Sequence, residues 1–219
     1  MAELIRGLRA ERVRENLASI RAEIAAAGRD PDEVEILAAV KYLLSDELDT
    51  LALAGIELVG ENRAQELAAK SDAHPGRFTW DFIGHLQSRK VPLLLPRVRY
   101  IHSVATDSAL EQLRRHGTAS TEVLVEVNVA GEPGKSGIAP AELGAFLERS
   151  AVRVVGLMTM PPVARDPEDS RRWFSALREL AQRYGLEHLS MGTSQDFRVA
   201  VQEGATIVRL GTILYADAS

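Results

Sequence analysis

The feature that most restricts what this chain can fold into is an alternation. Apolar, largely β-branched runs occupy residues 34–40, 56–59, 78–83, 98–104, 123–129, 152–158, 188–191 and 205–210. Helical stretches at 45–54, 107–116, 140–149, 167–184 and 195–202 lie between most of them. Strands separated by helices build parallel β-α units. Eight such strands favour a closed barrel over an open doubly wound sheet, and the turn after the first strand lacks the G-x-G-x-x-G pattern of a dinucleotide fold. The expected fold is α/β, a single (β/α)8 TIM-type barrel. An additional N-terminal helix is expected within residues 1–28, because Val13, Leu17, Ile20 and Ile24 share one helical face and Gly28 ends the pattern. One domain then spans residues 1–219, with this helix packed on the barrel. Asp107 reads as an N-cap, Pro140 as a first-turn residue, and Gly55, Gly117, Gly185 and Gly204 as helix stops.

Composition removes several function classes. A net charge of −5 argues against a general nucleic-acid or acidic-membrane binder. With no cysteine there is no disulfide, thiolate chemistry or Cys-based metal site. No apolar run reaches the roughly 18–20 residues of a membrane span, and the N-terminus does not read as a signal peptide, so a cytoplasmic protein is expected. The five histidines show no H-x-x-x-H pair, so no metal site is expected, and His102 reads as a satisfied barrel residue.

In a barrel of this kind, chemistry belongs at the C-terminal strand ends. The first strand ends in Ala39-Val40-Lys41-Tyr42. Lys41 is either a surface cation with a buried stem or a nucleophile whose neutral amine forms an imine with an aldehyde. The seventh ends in Met191-Gly192-Thr193-Ser194, where Ser194 is either an N-cap or an anion ligand. The eighth ends in Val208-Arg209-Leu210-Gly211-Thr212. Glycines, hydroxyls and free backbone N–H groups at these two ends make a phosphate cradle, placed where barrels commonly hold phosphate. Arg209, inside an apolar strand, needs a partner, either a ligand or an acid such as Glu61. An aldehyde-reactive lysine across from a phosphate site points to pyridoxal 5′-phosphate (PLP). Gly134-Lys135-Ser136 lacks the glycine spacing of a Walker loop and reads as a polar loop over the barrel.

From about residue 34 to 214 the sequence resembles the YggS/PROSC-type PLP homeostasis proteins. The resemblance is carried by Lys41, Gly60-Glu61-Asn62, Phe82-Ile83-Gly84-His85-Leu86-Gln87, Gly134-Lys135-Ser136-Gly137-Ile138, Gly156-Leu157-Met158, Met191-Gly192-Thr193-Ser194 and Val208-Arg209-Leu210-Gly211-Thr212, in that order. It implies that Lys41 carries PLP as an internal aldimine. It implies further that Ser194 with the backbone of Gly211 and Thr212 takes the phosphate, and that Arg209 faces the pyridine nitrogen. Asn62 and His85 would line the mouth near the ring. The family is similar in fold to the barrel domain of alanine racemase. The sequence departs from the family pattern at Val40 (usually Ser or Thr), Asp81 (often His), Thr193 (usually Met) and Tyr215-Ala216 (usually Phe-Gly).

Three functions are weighed: a PLP carrier that buffers the free aldehyde and passes it to PLP-requiring apoenzymes, a PLP-dependent amino-acid racemase, and a barrel whose lysine and arginine are structural. Racemisation needs a second base opposite the lysine, which the related racemases take from an additional β-domain, and this chain ends soon after its eighth strand. An arginine at the ring nitrogen also weakens the electron sink. A monomeric carrier with no catalytic residue is the expectation.

Overall fold

The computed structural model describes residues 4–216. Strands β1 (Glu35–Ala39), β2 (Leu58–Glu61), β3 (Thr79–Phe82), β4 (Tyr100–Val104), β5 (Glu122–Glu126), β6 (Arg153–Met158), β7 (His188–Thr193) and β8 (Ile207–Leu210) pair in chain order, all parallel. β8 pairs with β1 and closes the barrel. The described α-helices are α1 (Ala10–Ala26), α2 (Glu47–Leu53), α3 (Ala64–Ala73), α4 (Val91–Leu94), α5 (Asp107–His116), α6 (Leu143–Glu148), α7 (Arg171–Tyr184), α8 (Phe197–Gln202) and α9 (Thr212–Tyr215), with short 3-10 turns at Pro31–Glu33, Ser88–Lys90, Pro140–Glu142 and Pro167–Ser170. None of them is long and apolar enough to cross a membrane.

Because strand side chains alternate with a period of two, each strand feeds two cores. One parity packs the helices, as with Ala38, Val59, Ile101, Val123 and Val208. The other fills the lumen with Leu37, Tyr100, Leu124 and Ile207, and the register shift between β5 and β6 lets both Val155 and Met158 join them. Leu37 and Ala39 lie on the lumen parity of β1, and the same count reaches Lys41 at the mouth. Ile207, Arg209 and Gly211 follow the same rule on β8.

α1 buries Val13, Ile20 and Ile24, and Asn16 Nδ2 donates to the carbonyls of Leu214 and Ala216, tying this helix to α9 beneath the site. Several boundaries differ from expectation. Thr106, not Asp107, caps α5, its hydroxyl accepting from Ala109 N–H at 3.2 Å. Gly117 follows α5 in extended backbone, whereas Gly185 ends α7 in the left-handed region at φ 64°. The fifth strand stops at Glu126, since Val127 turns to bridge Ile138. The seventh runs on to Thr193.

Candidate functional site

The ends of β1, β2, β7 and β8 enclose a cavity of about 380 Å³, within the usual range for small-ligand sites. Lys41, Asn62, Ser194, Arg209, Gly211 and Thr212 all line it. Lys41 occupies a turn closed by Leu43 N–H on the Val40 carbonyl at 3.1 Å, and its ammonium lies 4.7 Å from the centre of the Tyr42 ring. His85 does not reach this cavity. β3 ends at Phe82, and Gly84 lies so close to Asn62 that a Cβ would sit 2.0 Å from the Asn62 carbonyl oxygen. The chain bends there and sends His85 into an adjoining cleft with Arg63 and Lys90.

At the β7–β8 side Ser194 does not cap the helix that follows it. Asp196 occupies that position, its carboxylate accepting from Thr193 N–H at 2.8 Å and from the Thr193 hydroxyl at 3.0 Å. The Ser194 hydroxyl instead accepts from Gly211 N–H at 3.3 Å and Ile213 N–H at 3.4 Å. Two backbone donors thus converge on one hydroxyl through long bonds. Asn62 and Tyr215 line the cavity, and Asn62 Oδ1 and the Tyr215 hydroxyl are buried without a hydrogen-bond partner among the described residues. Such orphans are uncommon in a folded protein. A phosphorylated aldehyde fits this donor set, an amine together with N–H and hydroxyl groups in one cavity.

Arg209 is buried and held by the protein itself. Its guanidinium donates to the Ser190 carbonyl at 2.7 Å, the Ser190 hydroxyl at 2.6 Å and the Thr159 carbonyl at 2.9 Å. The expected acid partner Glu61 is engaged elsewhere, 2.6 Å from Lys70. Burial pushes Arg209 down to about 10, against the opposing charges of Asp196 and Glu126, which leaves it cationic at neutral pH.

Behind Arg209 a polar chain crosses the lumen. The Ser190 hydroxyl is 2.8 Å from His102 Nδ1, and His102 Nε2 is 3.1 Å from Asp81. Arg99 bonds both Asp81 oxygens and both Glu35 oxygens at the floor. Burial pushes the His102 imidazolium down, outweighing the attraction of Asp81, so the ring is neutral. Burial would raise the Asp81 carboxyl, but hydrogen bonds and charge from His102 and Arg99 prevail and hold it low. An ionised Asp81 requires the His102 proton on Nε2. Nδ1 is then an acceptor, so Ser190 donates to it and turns its oxygen toward Arg209. Glu126, at the end of β5, takes a hydrogen bond from Ser136 at 2.6 Å, while burial raises its carboxyl.

With this geometry the comparisons become specific. Residues 8–219 match the family described as alanine racemase, N-terminal domain. A pyridoxal phosphate homeostasis protein of Aquifex aeolicus is 38% identical over 221 residues, covering 94% of this chain and 97% of that one. The chain belongs to the family of pyridoxal phosphate homeostasis proteins. Another member, from Pseudomonas aeruginosa, is 36% identical over 216 residues, with 94% of each chain covered. The structure of PipY from Synechococcus elongatus with PLP bound superimposes with a TM-score of 0.78 at 30% identity, over 93% of this chain and all of that one.

Within this homeostasis-family barrel, His102 is the satisfied barrel residue expected, but its partners Asp81 and Ser190 and the buried Lys70 were not read from the sequence. The Asp81–His102–Ser190 chain joins residues from three strands and leaves no local pattern. Lys70 did leave a signal: it falls in phase with buried Ala64 and Leu67 on α3, a lysine on an apolar helix face.

Proposed function

We propose that this chain binds PLP as an imine on Lys41 and acts as a cytoplasmic, monomeric carrier. It buffers the aldehyde and releases it to PLP-requiring apoenzymes without strong catalysis of its own. In this role the neutral Lys41 amine adds to the aldehyde carbon and water leaves, so that C=N replaces C=O. Ser194 and the N–H groups of Gly211 and Thr212 take the phosphate, Arg209 faces the pyridine nitrogen, and Asn62 stands beside the ring. The observation that carries this reading is the shared cavity, lined both by Lys41 and by the Ser194–Gly211 donors. The family name of the relatives and the PLP in the PipY structure support the same cofactor.

A racemase needs a second base opposite Lys41. Among the described residues lining the cavity, the phenols are Tyr42 and Tyr215. Burial, helped by the Glu61 charge, pushes the Tyr215 phenol up, away from what a base at neutral pH requires. Arg209 remains cationic and meets the ring nitrogen as a donor, which favours an unprotonated ring and a weak electron sink.

Reconstitution with PLP is expected to give an imine band near roughly 420 nm. Borohydride reduction and peptide mapping are expected to place the pyridoxyl group on Lys41, and Lys41→Ala to lose the band while remaining folded. An adduct chiefly on Lys90 or Lys135 would overturn the assignment.

A further inference from the structure

Outside the cavity wall, the described structure buries one lysine almost completely. Lys70, on α3, is 5% exposed, and its partner Glu61, at the end of β2, is 1% exposed. Nothing proposed for the site uses this pair, and a buried ion pair is an expensive way to hold a fold together. Its contacts are unusual in where they end.

The Lys70 ammonium is 2.6 Å from Glu61 Oε2 and donates to the Val40 carbonyl at 2.8 Å. Val40 is the residue before Lys41. Its carbonyl is also the acceptor that closes the turn in which Lys41 and Tyr42 are the two central residues. The second Glu61 oxygen accepts from Asn62 N–H at 2.7 Å and Arg63 N–H at 3.2 Å. One buried pair therefore grips Val40, the residue before Lys41, and the backbone of Asn62; Lys41 and Asn62 both line the cavity. The Lys41 side chain is exposed, and its ammonium has no hydrogen-bond partner among the described residues; it rests over Tyr42. With no hydrogen bond at its tip, Lys41 is anchored at its backbone, and Lys70 helps pin that backbone through the Val40 carbonyl.

We propose that Lys70 and Glu61 form a positioning clamp that presents the Lys41 amine to the aldehyde carbon of the ligand. This rests on the proposed role of Lys41. The clamp acts on the β1–β2 side, whereas the phosphate and ring-nitrogen contacts come from β7 and β8. Loosening it disturbs the attack of the amine and leaves recognition of ring and phosphate in place.

Pyridoxamine 5′-phosphate separates the two, because it shares the ring and phosphate but carries an amine in place of the aldehyde and forms no imine. The test compares native protein with Glu61→Gln/Lys70→Met, which removes both charges together and so strands neither. Pyridoxamine phosphate is expected to bind the double variant within about twofold of native, the usual tolerance for independent sites. The rate at which the imine band appears on mixing with PLP is expected to fall about ten- to a hundredfold, the scale of a displaced reacting group. A native rate in the folded double variant overturns the clamp. Parallel loss of both ligands also overturns it, assigning the pair to general support of the barrel. Should the double variant not fold, Glu61→Gln/Lys70→Gln serves in its place, again removing both charges and replacing Lys70 by a polar side chain. At position 70 the substituted side chain is one atom shorter and cannot bridge residues 61 and 40, and the same two outcomes decide. If native protein forms no imine on Lys41, the PLP reading fails first, and visibly, before any variant is compared.

Discussion

Ser194 follows β7 yet serves β8. Its hydroxyl accepts from Gly211 and Ile213 N–H at 3.3 and 3.4 Å, longer than a good N–H···O bond. These donors are held in place but poorly satisfied, as the proposed phosphate role requires. Ser194→Ala then removes one hydrogen bond to a charged ligand and is expected to weaken PLP binding by roughly 1.5–3 kcal/mol. Pyridoxal, which lacks the phosphate, should bind both proteins almost equally in parallel titrations. Equal weakening of both ligands would mean that Ser194 only braces the strand ends. That Lys41, Ser194 and Arg209 would meet around one cavity was legible in the sequence because each breaks its local pattern: a cation ending an apolar strand, a hydroxyl shortly after a glycine, a guanidinium within a strand. Their partners were not. Arg209 is satisfied by the carbonyls of Thr159 and Ser190, and backbone acceptors carry no residue code. An acid such as Glu61 was the natural guess from charge alone, but the nearer cation, Lys70, claims it.

At the scale of elements, the strand count and order were legible from hydrophobic runs, and the closed parallel barrel follows them. Boundaries were less so wherever glycine or polar residues continue a strand. β7 carries on through Gly192-Thr193, residues that do not read as strand formers, because its tip must meet β8 and α8. α3 was missed because its apolar face is built partly from alanines and includes a lysine. His85 was expected at the cavity mouth, and the bend at Gly84 is a packing effect of the Asn62 backbone that no spacing encodes. Gly192 shows the same principle from the other side. Its φ is 92°, and a Cβ there would lie 2.6 Å from Ala200 Cβ and 3.0 Å from Phe197 Cα. Gly192→Ala combines backbone strain with overpacking between β7 and α8, and is expected to cost about 2–4 kcal/mol in urea unfolding. Loss of less than about 1 kcal/mol would show that α8 moves aside freely.

Across the whole molecule, the lumen polar chain links the floor of the barrel to its mouth and makes stability depend on pH. His102 is wholly buried and neutral, with Asp81, Arg99 and Arg209 the charged groups around it. Its folded affinity for protons is below the ordinary histidine value of 6.5, so below that pH the unfolded chain binds more protons than the native one. The contribution is therefore intact above about 6.5 and is lost as the pH falls toward the folded value, by at most about 1.4 kcal/mol per pH unit. Asp81, also held low, adds a second loss that starts only below its ordinary value of 3.8. Glu126 has the opposite sign. Its carboxyl is raised above 4.5, so its contribution is present below that pH and declines as the pH rises through its folded value. Between pH 6.5 and 5 the His102 contribution and any part of the Glu126 contribution oppose each other, and a substitution isolates the first. Glutamine at position 102 can offer its amide N–H to Asp81 and its carbonyl to Ser190, matching the neutral tautomer without titrating. Urea midpoints measured from pH 8 to 5 are expected to fall below about 6.5 in the native protein and to fall less steeply in His102→Gln. Identical pH slopes in the two proteins would mean that His102 is not the group whose protonation unfolds the barrel.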